Sequence, residues 1–338
     1  MRKLLFLFGV LLLFSGCSSK ITLDVLRASK VNNPSIKQLA IMNFKNDTIG
    51  QASSIESQLS SLILHEKPYF TLVQRSDLNI LLEEKKLNDS ALVDLDNIND
   101  FRGLTQVKTF LMGEVLQSTL HKNVYFKSEK NYQHCLEYNK NKECIRFPVR
   151  LIRCQTNDYM VQTQIKAVEV VSSNILYSQT YTQTDSITQC DDVNYLPTKE
   201  EHNHYLGQLI AQKILKDLAP HYVQIKVSLL EDVEIPLSKT QEQFFKNALT
   251  LLTQNRYEQA KTLLEDLNEQ TQEQSYVILY NLALCYETLH SIDLAFKTYE
   301  MAEKQTLNKE VVKEISEALT RVKQVLLEKE KINKLIHY

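Results

Sequence analysis

From Gln241 to Tyr338 the chain contains no glycine and no proline, and leucine, alanine, glutamate and lysine dominate it. With no backbone breaker and apolar residues at helical spacing, this stretch is restricted to α-helices. Two segments within it can be laid over each other: FFKNALTLLTQNRYEQAKTLLEDL (244–267) and LYNLALCYETLHSIDLAFKTYEMA (279–302). The offset is 35 residues, and it sets Ala248 on Ala283, Tyr257 on Ile292 and Ala260 on Ala295. Small residues at matched positions let two antiparallel helices approach, while larger apolar residues fill the space between units. Residues 308–331, with Val312, Ile315, Leu319, Val322 and Leu326 on one face, supply a long last helix able to cap the stack.

These segments resemble the tetratricopeptide repeat, whose period is 34. Family positions fall on Leu251 and Tyr286 late in the first helix, on Leu264 and Tyr299 in the second, and on Leu267 and Ala302 close to its end. Two departures stand out. The usual glycine before the turn is Asn255 and His290, and the usual terminal proline is missing. An ordinary pair of helical hairpins is the alternative. The resemblance implies a concave groove, and through it the binding of envelope or secretion proteins.

The amino end imposes a second constraint. Arg2 and Lys3 precede an apolar run from Leu4 to Phe14, and Ser15, Gly16 and Cys17 follow. This is the order of a secretory signal, and the run is too short to span a bilayer as a mature helix. The end, L-F-S-G-C, resembles the bacterial lipobox, with Phe14 where leucine is usual. The resemblance implies cleavage before Cys17 and lipid on its thiol. Acyl chains there replace a membrane helix. Ser18 and Ser19 resemble the outer-membrane-directed class, so the expected location is the outer membrane, lipid-anchored and facing the periplasm. An ordinary signal peptide with a chance cysteine is the alternative.

Removing a 16-residue leader from 338 residues leaves 322, enough for two or three domains. Lysine and arginine total 39 against 41 acidic residues, so no global basic surplus drives nucleic-acid binding. Glycine totals only 6, and neither G-x-G-x-x-G nor G-x-x-x-x-G-K occurs. Of the six cysteines, Cys135, Cys144, Cys154 and Cys190 fall in one stretch. In an oxidising compartment four such residues predict two disulfides, with three possible pairings. Pairing 135 with 144 and 154 with 190 is the simplest, since each closes a short excursion between strands. A metal site is the rival, with His134 adjacent, but the spacings are not those of a zinc knuckle. Cys285, in N-L-A-L-C-Y, reads as a small core residue.

Periodicity divides the chain. Residues 1–16 are the signal and 17–36 a polar, lipidated tether. Residues 37–230 form a periplasmic α/β domain, 231–240 a linker, and 241–331 the helical domain. In the α/β domain, strands are predicted at 38–44, 69–75 and 109–117. Helices are predicted at 52–65, after Ser76 with Leu78, Leu81 and Leu82 buried, and near 97–106. The middle then turns rich in Tyr, Thr, Gln and Val. Strands at 146–154, 158–170 and 174–184 read as an antiparallel meander, with turns at Asn157-Asp158 and Ser172-Ser173-Asn174. The insert 121–145 reads as an extended loop or hairpin. A helix at 203–218 and a strand at 221–230 close the domain. The fold class is α+β: an α/β sandwich with an antiparallel meander, followed by an all-α repeat domain.

Residues 37–117 resemble the CsgG family of curli-secretion lipoproteins. The blocks that carry this are QLAIMNFKND (38–47), PYFTLVQRSDLNILLEEKKLN (68–88) and KTFLMGEV (108–115), with Val73, Arg75, Leu78, Leu82 and Glu84 in loose agreement. Gly113 sits at the family's strand glycine, and Ile175, Leu176, Tyr177 and Ser178 stand at its I-L-x-S segment. The resemblance extends over roughly 37–230. It implies an envelope location and a domain that tends to oligomerise, so a homo-oligomer is an expected partner. It does not force a pore: one face of 159–171 carries Glu169 and one face of 175–183 carries Gln179 and Gln183, where a barrel would place lipid.

No catalytic or cofactor site is expected. Asp94, Asp96, Asp100, Asp191 and Asp192 sit in polar turns, His202 and His204 lie two apart at a helix start and read as a surface turn there, and neither G-x-S-x-G nor H-E-x-x-H occurs. The reading at this stage is a scaffold or assembly factor for an envelope or secreted structure. The rivals are an outer-membrane secretion channel of the same family and an envelope enzyme.

Overall fold

In KITLDVLR, Ile21, Leu23 and Val25 are buried while Lys20, Thr22 and Asp24 are exposed, and the segment forms strand β1 (Lys20–Arg27) with one apolar face. The tether expected over 17–36 is therefore structured here, because its polarity belongs to one side only. The computed structural model describes residues 19–64, 66–73, 107–191 and 195–336. The signal segment 1–16 and Cys17 lie outside these, as do Arg75, the helices expected after Ser76 and near 97–106, Glu84, Asp94, Asp96, Asp100 and Asp192. The chain divides into two units, Ser29–Ala219 and a second made of the residues up to Ala28 together with those from Pro220 on. That division moves the boundaries read from the sequence. The α/β unit gives up its expected last strand, and the helical unit gains one strand from each side of it.

The α/β unit runs β2 (Gln38–Ile41), α1 (Gln51–Ser60), β3 (Ile63–Leu64), β4 (Lys67–Pro68), β5 (Thr71–Val73), β6 (Thr109–Lys130), β7 (Glu137–Tyr138), β8 (Cys144–Arg146), β9 (Val149–Glu169), β10 (Ile175–Cys190) and α2 (Lys199–Leu218). One five-stranded sheet has the order β10-β9-β6-β2-β5. β2 is parallel to β5 and β6, whereas β6, β9 and β10 are antiparallel. Both helices cover one face. Ile55 and Leu59 of α1 and Leu206, Ile210, Ala211 and Ile214 of α2 share a core with Leu39, Ile41, Leu111, Tyr159, Val161 and Ile165. Alternate residues point the other way, and Ala40, Met42, Phe110 and Val170 form a smaller cluster there. Tyr159, Val161, Thr163, Ile165 and Ala167 are thus buried on the helix side.

Local chemistry explains the boundaries. Asp47 accepts hydrogen bonds from the amides of Gln51 and Ala52, which satisfies the first donors of α1. Thr198 and Glu201 form a reciprocal capping box at the start of α2. Gly113 lies under the ring of Phe44: a Cβ there would stand 2.4 Å from Phe44 Cε2. The strand glycine thus leaves room for an aromatic residue from the neighbouring segment. Strand β9 runs unbroken through Asn157-Asp158, where a turn was expected. Asn157 is buried and donates to the Tyr159 hydroxyl at 2.9 Å. The expected turn at Ser172–Asn174 is present, with Ser173 at φ 61°.

The helical unit consists of β1, β11 (His221–Ser228), α3 (Lys239–Thr253), α4 (Tyr257–Gln270), α5 (Tyr276–Thr288), α6 (Ile292–Gln305) and α7 (Lys309–Ile336). β1 and β11 pair antiparallel from Lys20 with Ser228 to Arg27 with His221. The two interhelix turns repeat 35 residues apart. Asn255 and His290 take φ values of 59° and 58°, and Arg256 N donates to Leu251 O as Ser291 N donates to Tyr286 O, each at 2.9 Å. This left-handed conformation favours glycine, which accounts for its place in the repeat pattern. Ala248, Ala260, Ala283 and Ala295 are fully buried. Arg321 clamps Glu287 in the interior at 2.7 and 2.8 Å, and the Tyr299 hydroxyl donates to the same carboxylate.

Candidate functional site: a disulfide-stapled ribbon

The three antiparallel strands are longer than their helix cover. Helix α2 begins where Asn203 Nδ2 donates to Ser118 Oγ at 2.9 Å, His202 Nε2 lies 2.9 Å from Asp185 Oδ2, and the Tyr159 hydroxyl donates to Pro197 O at 2.6 Å. Beyond this level β6 and β9 continue, and every residue from His121 to Lys130 is exposed. The insert expected as a loop at 121–145 is thus strand over its first ten residues.

Two disulfides staple this arm. Cys190 ends β10 directly opposite Cys154, and the two are bonded. Past that point β6 and β9 form a two-stranded ribbon. Its end, 131–148, is closed by Asn131 N donating to Pro148 O, by the small β7–β8 pair and by the Cys135–Cys144 bond. The Tyr132 and Phe147 rings meet edge to face, with centroids 4.8 Å apart. The pairing is that of neighbouring excursions.

The register assigns the ribbon's faces. Lys122, Val124, Phe126, Ser128 and Lys130 stand opposite Asn157, Gln155, Arg153, Leu151 and Val149. These residues share one face, since side chains alternate along a strand. Val124, Phe126, Val149 and Leu151 are 46, 66, 59 and 70% exposed, so this is an uncovered apolar patch. Lys122 and Lys130 frame it, Arg153 stands within it opposite Phe126, and no carboxylate stands among these ten residues. The opposite face carries Lys127, Glu129 and Arg150, with Arg150 bonded to Glu129 at 2.9 Å. Between His121 and Arg153 there are eight lysines and arginines against three glutamates; the rest of the chain holds 31 basic against 38 acidic residues. The whole-chain charge hides this local surplus of five. It was legible as a run in the sequence, but its concentration on one face depends on register.

The other sequence-derived candidates resolve differently. Cys285 is buried, and burial pushes its thiol up to about 12, so it stays protonated at neutral pH. The four repeat alanines are interior packing positions. Strand β1 packs against α3, α5 and α7, and Ile21, Leu23, Val25 and Val227 enter the same core as the helices. Helix α5 is consequently buried from Val277 through Cys285. The expected linker is also tied down, with Glu234 accepting from Tyr276 N at 2.6 Å and Ser275 Oγ at 2.9 Å. His202 and His204 lie in the first turns of α2, at the helix start read from the sequence, but His202 is buried rather than at the surface. Their rings go to separate partners, His202 to Asp185 and His204 Nδ1 to Ile49 O at 2.7 Å. Among the described residues no group of three or more His, Cys, Asp or Glu could hold a metal, and no helix is long and apolar enough to cross a membrane.

One further polar cluster lies in the α/β unit. Asp217 Oδ2 accepts from Tyr177 at 2.5 Å, Tyr181 at 2.7 Å and Lys30 Nζ at 2.9 Å. Burial alone would raise the Asp217 carboxyl, yet the hydrogen bonds from Tyr177, Lys30 and Tyr181 hold it below its ordinary value. All three donors meet the same oxygen, and the cluster serves to fasten α2 to β10.

No protein-family model matches the chain, and no curated protein matches it by sequence. Among solved structures, the lipoprotein GNA1162 from Neisseria meningitidis aligns with 53% of this chain and 96% of its own, at 9% identity and a TM-score of 0.29. The PelC dodecamer from Paraburkholderia phytofirmans aligns with 60% of this chain and 97% of its own, at 9% identity and a TM-score of 0.27. Likeness at this level carries no functional argument.

Proposed function

We propose that the chain is an exported lipoprotein of the bacterial envelope, anchored through Cys17 at the outer membrane and facing the periplasm. In this reading it is a non-catalytic scaffold or assembly factor that makes its outside contact through the stapled ribbon. The observation that carries it is the uncovered apolar and basic ribbon face, held by two disulfides beyond the end of α2. A monomeric surface rarely leaves such a patch without a use. The disulfides fit an oxidising compartment, and the L-F-S-G-C leader fits export and lipidation. The CsgG-like and tetratricopeptide-like resemblances belong to this reading as its fold assignment. The packing of β1 into the helical core supports placing outside contact on the ribbon rather than on the helices. Self-association through the α/β unit belongs to the same proposal.

Two measurements test it. Mass spectrometry of the mature amino terminus should find Cys17 acylated, and Cys17→Ser should leave unprocessed precursor; an unmodified terminus, or cleavage elsewhere, overturns the anchor. A photocrosslinking residue at Leu151 should give discrete adducts in intact envelopes, and one at exposed Thr22 should not. Equal, diffuse labelling at both positions overturns the docking role.

A further inference from the structure

We infer that the ribbon face docks on an anionic lipid headgroup surface. The inference rests on reading the ribbon as a docking arm and adds what the arm docks on.

Charge complementarity selects the occupant. The face combines apolar side chains with Lys122, Lys130 and Arg153 and holds no carboxylate, within a segment whose net surplus is five positive charges in an otherwise acidic chain. Lysine and arginine beside exposed apolar and aromatic groups is the composition of a surface that settles into the headgroup layer of an anionic bilayer. Shape points the same way. The patch lies on a two-stranded ribbon that runs past its helix cover, so among the described residues nothing encloses a bound peptide on this face. A bilayer surface requires no such enclosure.

The same register argues against passage across the bilayer. Arg153 stands directly opposite Phe126, in the middle of the stretch between Lys122 and Lys130. The reverse face carries Lys127, Glu129 and Arg150. A spanning strand needs roughly 9 to 11 residues with one consistently apolar side toward lipid. Neither face is consistently apolar, whereas four apolar side chains beside cations match a shallow interfacial contact. At the ribbon's end Tyr132, Leu136, Tyr138 and Ile145 are also exposed and extend the apolar area, and the Cys135–Cys144 bond limits the conformational freedom lost on contact.

The chain contains no tryptophan, so a single introduced one reports its own surroundings. Full-length Leu151→Trp protein is mixed with vesicles of phosphatidylcholine alone or with phosphatidylglycerol added. The expected result is a blue shift of emission and quenching by brominated lipid with phosphatidylglycerol vesicles only, reversed by raising salt to about 0.5 M. Leu294→Trp, at an exposed position of α6, should not distinguish the two vesicles. Combining Lys122→Gln, Lys130→Gln and Arg153→Gln with the reporter should abolish the response, with both disulfides and the melting temperature retained. These three side chains lie on the exposed arm, so the fold survives their loss. Equal shifts with both vesicles overturn the inference in favour of charge-independent insertion. A shift without lipid that grows with protein concentration overturns it in favour of self-association. A shift with dextran sulfate but not with vesicles overturns it in favour of an acidic polymer. If vesicles give nothing while Leu151 still crosslinks discretely in envelopes, the lipid inference fails and the docking arm stands; if both fail, so does the docking arm.

Discussion

Leu23 sits fully buried in β1, opposite Ile225 and within the core that α3 to α7 build. Leu23→Ala removes three carbons from that core and leaves a cavity, since the surrounding helices relax only in part. Buried leucine-to-alanine changes cost about 2–5 kcal/mol. Thr22→Ala, one residue away on the exposed side, should stay within about 0.5 kcal/mol of the parent. Cys285 provides the readout, because it lies in the same core and is its single thiol. A maleimide reaches it only when the helical unit opens, so where closing outpaces labelling the rate follows the open fraction. Leu23→Ala should raise that rate by roughly thirtyfold to a few thousandfold, since every 1.4 kcal/mol is tenfold. Thr22→Ala should raise it about twofold at most. Indistinguishable rates for the two variants would mean that the segment holding β1 is a tether after all and that the helical core is complete without it.

Three further perturbations address other parts of the fold. Ala260→Leu or Ala295→Leu forces extra atoms between packed helices at about 1–3 kcal/mol, so limited proteolysis should digest the helical unit while a fragment near 29–219 persists; equal tolerance at exposed Gln259 would refute the close-contact assignment. Gly113→Ala should cost a similar amount, about 1–3 kcal/mol, by driving a methyl into the Phe44 ring, and a second change, Phe44→Leu, should recover part of the loss in denaturant melts. Because the Asp217 carboxyl is held below its ordinary value, its stabilising contribution is complete above the unfolded value near pH ~4 and fades as pH falls through the lower folded value. The stability gap between parent and Asp217→Asn should therefore be widest near neutrality and close in acid; a gap that widens in acid would reverse the assignment.

What was legible in the sequence follows from how far each signal reaches. Helices α2, α3, α4, α6 and α7 show in periodicity because each buries one face, and α5 shows as a near-continuous apolar run because it is buried nearly all round. The ribbon did not show, because β6 changes surroundings midway. Up to Val115 it is covered, and from His121 it is exposed on both faces, so alternation stops carrying information. Asn157-Asp158 reads as a turn by residue type, yet inside the sheet Asn157 finds a partner in Tyr159. β1 was missed because eight residues of alternation are a weak signal and the partner strand stands some two hundred residues away. The disulfide pairing was legible as the simplest of three options, since both bonds close local excursions. The docking face was not, because its charge and apolar groups come together only through a register that no local pattern announces.

The pairing of β1 with β11 has a consequence for the order of folding. Arg27 meets His221 across 194 positions of chain, and closing so long a flexible loop costs on the order of 4–5 kcal/mol by the logarithmic rule. That cost falls once the intervening residues have folded, because Lys30 N donates to Asp217 O at 2.8 Å and draws the ends of the inserted stretch together. Completion of the helical unit by its first strand thus waits on the unit inserted between β1 and β11. A lesion confined to the sheet, such as a methyl at Gly113, should slow closure of the helical unit even though it touches none of its residues.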